Sequence, residues 1–170
     1  MNLRTDRMRI RTIAGLMFVC AGLAQTEQNF SGTWKLDESR STNFGTVDQI
    51  RFDTIWQEGS RLKVKSSLAI KLTPFWSEDL TVDGKPHAAI GSTGRPETVS
   101  AYWQGPNLIV RRETSAGENQ IEETWSLSPD GQVLTIVIVG NGRPAASEGV
   151  RGGVGDRKFV FTKTGQHAKP

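Results

Sequence analysis

The sequence predicts an all-β protein: an antiparallel up-and-down meander of about eight to ten short strands that closes into a barrel. Three observations carry this. Apolar residues from Phe30 onward recur with period two, not every three or four residues. Turn signals interrupt that alternation at regular intervals: Glu58-Gly59-Ser60, Asp83-Gly84, Gly105-Pro106-Asn107, Ala116-Gly117 and Pro129-Asp130-Gly131. Three hairpins derived independently in the second half of the chain also share one apolar face.

The first 24 residues read as a secretory signal peptide. A basic stretch ending at Arg11 precedes an apolar run from Ile13 to Leu23, and Gly22-Leu23-Ala24 supplies the small residues that signal peptidase requires. The run is well short of the ~20 residues that span a bilayer. Cleavage after Ala24 and a secreted or periplasmic location are the expectation. Membrane attachment enters only if Cys20 is lipidated, and Val19 before it is larger than a lipoprotein signal prefers.

Composition follows the same division. Of 170 residues, 21 are Lys or Arg and 18 are Asp or Glu, a net charge of +3. The leader contributes four arginines (Arg4, Arg7, Arg9, Arg11) and one aspartate (Asp6), so without it the counts become 17 and 17. The basic balance thus belongs to export, and neither net charge nor a basic stripe points to nucleic acid. Cys20 is the single cysteine, which excludes a disulfide frame, a cysteine nucleophile and a thiolate metal site in residues 25–163, the barrel domain.

Within that domain, Ile50, Phe52 and Trp56 alternate, as do Leu62, Val64, Leu68 and Ile70, with Lys63, Lys65 and Lys71 on the opposite face. The only helical signal is one short turn between Asp37 and Phe44. A type II′ turn at Gly117-Glu118 sets Arg112 opposite Glu123, Val110 opposite Trp125 and Leu108 opposite Leu127. A four-residue loop from Gln104 to Asn107 sets Trp103 opposite Leu108 and Ala101 opposite Val110. A turn at Asp130-Gly131 sets Leu127 opposite Leu134 and Trp125 opposite Ile136. A one-residue slip would split these apolar pairs across two faces. Closure into a barrel is the usual way for such a meander to hide its edges, with a two-sheet sandwich as the alternative. Val133 to Val139 is apolar on both faces, so its outer face needs a terminal segment or a second copy, a possible homodimer contact. The region 140–155 holds six glycines and Pro144 and reads as a long loop before a last strand from Lys158 to Thr162. Residues 164–170 read as a disordered tail.

The segment Asn29-Phe30-Ser31-Gly32-Thr33-Trp34-Lys35-Leu36-Asp37 resembles the Gly-x-Trp opening strand of the calycins, the lipocalins and fatty-acid-binding proteins. Thr81 to Pro86, Glu97 to Ala101 and Ser128 to Ile136 are similar to elements of bacterial secreted proteins described only as lipocalin-like. The resemblance implies a barrel closed at its bottom by the tryptophan and holding a small apolar ligand. The Arg-x-Tyr triplet of the fatty-acid-binding type is not visible near the carboxyl terminus, so no carboxylate-binding arginine is carried over.

No cofactor is expected. His87 reads as an exposed turn histidine and too few nitrogen or sulfur donors accompany it for a metal. No Gly-x-Ser-x-Gly elbow is present. Glu78-Asp79 and Glu122-Glu123 are adjacent acids; neighbours on a strand face opposite ways, so neither pair flanks one bond, and both read as solvated charges. Trp76, after Pro74 and Phe75, is placed at an exposed strand start. Trp34, Trp56, Trp103 and Trp125 are read as inward.

Arg112 and Glu123 are the sharper candidates, since the derived register puts both charges on the apolar face. Two readings stand: a pair inside a cavity that orients a ligand's polar head, or a pair at the barrel rim, half in water. The rim is favoured because exposed pairs are the common case. With Trp103, Trp125, Phe52 and Trp56 they make the candidate ligand-binding set. The functional expectation is a non-catalytic binding protein for a small apolar molecule, against a protein- or glycan-binding barrel with a filled core.

Overall fold

A computed structural model describes residues 27–42, 50–68, 74–91, 94–114, 120–140 and 156–165. The leader, Cys20, Ile70, Lys71, the Gly117-Glu118 turn, the loop 141–155 and the end of the tail lie outside the described residues.

Ten antiparallel strands form one sheet: β1 (Gly32–Leu36), β2 (Ile50–Glu58), β3 (Arg61–Leu68), β4 (Pro74–Thr81), β5 (His87–Ile90), β6 (Pro96–Gln104), β7 (Asn107–Thr114), β8 (Gln120–Leu127), β9 (Val133–Gly140) and β10 (Arg157–Gly165). Consecutive strands pair with one another except β4 and β5, which form the two ends of the sheet, and β1 pairs with β10, giving the order β4-β3-β2-β1-β10-β9-β8-β7-β6-β5. A bridge from Val82, just past β4, to Ala101 of β6 brings the two ends of the sheet together. The result is a nearly closed barrel rather than a sandwich. A 3-10 turn, Glu38–Arg40, is capped by Asp37, whose side chain accepts from the Arg40 N–H.

The turns carry the geometry that their residues require. Gly105, with φ of 60°, precedes Pro106, and Gln104 pairs directly with Asn107. The predicted four-residue loop is therefore a two-residue turn, and its consequence holds: Trp103 faces Leu108 and Ala101 faces Val110. At Gly32 the constraint is space. A Cβ there would lie 2.6 Å from Lys163 Cε and 3.2 Å from the Gly165 carbonyl oxygen.

Alternation sends one set of side chains into the barrel. Trp34, Ile55, Leu62, Leu108, Val110 and Leu134 are all buried with at most 1% exposure. Leu127 faces Leu134 and Trp125 faces Ile136, as the pattern predicted. The β7–β8 register differs: Leu108 faces Trp125, Val110 faces Glu123 and Arg112 faces Ile121. This is a slip of two residues, which leaves every side chain on its predicted face and so cannot be detected from apolar patterning.

Strand β2 corrects the sequence reading more deeply. Asp53 and Ile55 are buried, whereas Trp56 is half-buried on the outer face, where Lys65 Nζ lies 5.2 Å from its ring centre. Trp56 thus shares the face of the lysines it was expected to oppose. The register shifts between Ile50 and Phe52, so the period counted from Ile50 does not continue through the strand. Phe52 pairs through its backbone with Lys35 and Ser67, one residue out of step with Asp53. Strand β9 lies between β8 and β10 with both edges paired, and Val139 is exposed on it.

Candidate functional site

The interior has two storeys. The lower one is an aromatic floor. Phe30, which precedes β1 and crosses the barrel's lower end, stacks on Trp103 at 5.8 Å and meets Trp125 edge-on at 5.9 Å. Its carbonyl accepts a 2.9 Å bond from Trp34 Nε1, and its N–H donates to Gln57 Oε1. Gln57 also donates through Nε2 to the Gln28 carbonyl, while Gln28 Oε1 accepts from the Leu127 N–H. One glutamine on β2 thereby fastens the whole incoming segment, and the backbone groups that a buried crossing would strand are satisfied.

Above the floor, β7 continues inward from Leu108 through Val110 to Arg112, and the character of the interior changes. The Arg112 side chain is only 10% exposed. Nη1 and Nη2 donate to the two oxygens of Glu78 at 2.5 and 2.7 Å, a forked pair. Nη1 also donates to Glu97 Oε1 at 2.9 Å, and Nε to Glu123 Oε1 at 2.7 Å. The guanidinium carbon lies 5.6 Å from the Trp76 ring centre. Four strands, β4, β6, β7 and β8, therefore converge on one cation. Glu78 reaches it from the far side of the seam between the two ends of the sheet, so the cluster ties those ends together.

Trp125 joins the storeys: its ring edge packs on Phe30 and its Nε1 donates to Glu123 Oε2 at 2.9 Å. Asp53 on β2 adds a fourth inward-facing acid, itself buried and held by a 2.7 Å bond from the Ser66 hydroxyl across the β2–β3 pair.

Electrostatics follow from burial. Removal from water pushes the Asp53 carboxyl up to about 6, which the Ser66 bond opposes and the nearby Glu123 reinforces. Burial also raises Glu78, against the pull of its bonds to Arg112. For Arg112, burial works against the charge, but Glu123 and Glu78 more than offset it and hold the guanidinium above its ordinary value. A depression of about 550 Å³ adjoins the cluster at the upper ends of β7, β8 and β9, with Arg112, Ile121 and Gly140 in its lining.

Of the residues singled out from sequence, the structure brings Arg112, Glu123 and Trp125 together. Arg112 is buried and Glu123 largely so, instead of lying half in water at the rim. Trp103 belongs to the floor, and Trp56 is on the outer surface. The side chain of Phe52 lies outside the described set. Two further readings are corrected. Glu78 and Glu123 are not solvated charges; only their neighbours Asp79 and Glu122 point outward. Trp76 lies near the start of β4, as expected, but is half-buried over Arg112 instead of exposed. His87 is exposed, as expected, and its Nε2 lies 3.0 Å from Asp83 Oδ1.

Sequence reasoning missed Asp53, Ser66, Glu78 and Glu97. The signal for Glu97 was present, since it is in step with Val99, Ala101 and Trp103, all on the inward face. Glu78 is likewise in step with Leu80. An acid on an apolar face is the pattern that marks both.

No protein-family model and no curated protein sequence matches the chain. Solved structures do. A secretory abundant heat soluble protein from Ramazzottius varieornatus superposes with a TM-score of 0.60 at 14% identity, over 82% of this chain and 98% of that one. Lipid binding protein 8 from Caenorhabditis elegans gives 0.59 at 13% identity, over 79% and 95%. A protein described as a REP1-NXSQ fatty acid transporter gives 0.56 at 15% identity, over 79% and 95%. At such identities the likeness is one of fold: this chain shares the sequential antiparallel β-barrel of these proteins.

Proposed function

We propose that the chain is an exported binding protein that takes a small, largely apolar molecule into the upper part of its barrel and catalyses no reaction. The observation that carries this reading is the change of character inside the barrel. A fold that needed only to fill its interior would do so with apolar side chains, because burying an ion pair is often no better than burying hydrophobic residues of the same volume. This barrel does fill its floor that way, yet places one guanidinium and four carboxyl groups above it. Barrels of the same fold that are named for fatty acid transport and lipid binding support the choice of ligand class. The basic and apolar leader supports export.

The test is to purify the protein, extract it under denaturing conditions and weigh any released molecule by mass spectrometry, then titrate the stripped protein with a neutral apolar fluorophore. Release of a defined small molecule, or saturable fluorescence enhancement, is the expected result. A protein that is repeatedly empty and silent to the fluorophore defeats the proposal. That outcome would favour a filled barrel acting as a protein- or glycan-binding module, for which the complete burial of Phe30, Leu108, Val110 and Leu134 is the supporting observation.

A further inference from the structure

The Arg112 cluster bears on which polar head group the barrel receives, an inference that rests on the binding function proposed above. A guanidinium presents five N–H donors. Four of them are engaged within the chain: two by Glu78, one by Glu97 and one by Glu123. One of its two flat faces lies over Trp76. A carboxylate entering the barrel therefore does not find the two-pronged fork that arginine ordinarily offers it. It meets three carboxyl groups around one cation and a fourth, Asp53, 6% exposed on the same interior, which accepts a hydrogen bond from the Ser66 hydroxyl. A hydroxyl head is received differently. It donates a hydrogen bond where a carboxylate can only accept, and carboxyl oxygens keep spare acceptor sites after one bond is made.

We propose that Glu78, Glu97 and Glu123 are specificity-determining residues. By occupying Arg112 they exclude carboxylate-headed lipids from the barrel and reserve it for uncharged counterparts such as alcohols of the same chain length.

The experiment loads the full chain with the neutral probe N-phenyl-1-naphthylamine and displaces it with decanol or with decanoate at about pH 8, where the acid is fully ionised. For the unaltered protein, decanol is expected to displace the probe at a concentration at least about tenfold lower than decanoate, since like charges brought together in a desolvated site are strongly unfavourable. In the double variant Glu78→Gln/Glu97→Gln the gap is expected to close to within about threefold, because Arg112 regains donors and the interior loses negative charge. Equal displacement by the two ligands in the unaltered protein, or tighter binding of decanoate, overturns the inference. So does a folded double variant that keeps the full gap. Should the double variant not fold, Glu97→Gln alone carries the same comparison, with a narrowing gap expected and an unchanged one counting against the proposal. If the probe binds but neither ligand displaces it, the inference about the head group is overturned while the binding function stands; if the probe does not bind at all, the binding function itself fails and this inference falls with it.

Discussion

The floor and the charged cluster lie one above the other in the same barrel, yet they are held by opposite physics. Around Phe30, burial of apolar area is non-directional, and the rings need only approximate placement to contribute. Around Arg112, four bonds must be aimed at once, and each group carries a desolvation cost that only its partners offset. The floor tolerates error and the cluster does not. The floor closes one end of the barrel; the cluster draws β4 to β6, β7 and β8 across the seam, where the Val82–Ala101 bridge and the Gly84 N–H to the Ala101 carbonyl also join the sheet ends.

This difference can be broken experimentally, beginning with Arg112→Ala. Removing the cation leaves Glu78, Glu97 and Glu123 buried together without it, and the expected loss is about 3–5 kcal/mol, read as a lowered urea midpoint. Raising the pH from 6 to 8 should worsen that loss. A midpoint unchanged from the parent protein would show that the cluster neither ties the seam nor matters to folding. Phe30→Ala should cost about 3 kcal/mol through the cavity it leaves between Trp103 and Trp125. That loss is expected to be the same at pH 6 and pH 8, because no titrating group is removed. Comparison of the two variants across pH is thus the direct measure of how differently the storeys are built.

Asp53→Asn sharpens the contrast. The folded-state value of about 6 stands above the ordinary aspartate value, so in the folded protein Asp53 takes up its proton before the unfolded chain does. Its contribution therefore favours folding fully below about pH 4 and is lost as the pH rises through 6, an effect on the order of 1–3 kcal/mol. The asparagine variant should be more stable than the parent at pH 7.5 and lack this component of the pH dependence, as followed by urea midpoints at pH 4.5 and 7.5. The smallest effect is expected for Trp56→Ala. Its ring lies on the outer face under Lys65, and a partly exposed cation–π contact contributes only about 0.5–1 kcal/mol. A loss as large as that of Phe30→Ala would return Trp56 to the interior, against the observed parity of β2.

Much of the floor was legible before any coordinates, and the reason lies in period two. Trp34, Trp103 and Trp125 sit on strands whose apolar alternation is unbroken, so each could be assigned a face from its neighbours. The pairings of Trp103 with Leu108 and of Leu127 with Leu134 followed from turn residues close in sequence. The cluster was only half legible. Arg112 and Glu123 were placed on one face because the two-residue error in their register preserved parity, but parity says nothing about depth, and the rim seemed the cheaper place for charge. Glu78, in step with buried Leu80, was read as a solvated charge, and Glu97, in step with Val99 and Ala101, was given no role. Strand β2 misled because the shift between Ile50 and Phe52 breaks the count on which the inward assignment of Trp56 depended.

By itself, the amino-acid sequence determined the all-β class, the sequential antiparallel pairing of the strands and most of the apolar set that lines the interior. Each of these is local: alternation and turn chemistry act over a few residues and need no distant partner. Only the tertiary structure decided that Glu78 of β4, Glu97 of β6 and Glu123 of β8 would meet on Arg112 of β7. That meeting depends on how the sheet curls and where its ends come together. Barrel closure brings residues 34 positions apart, Glu78 and Arg112, within a hydrogen bond of each other, and no pattern along the chain records that distance.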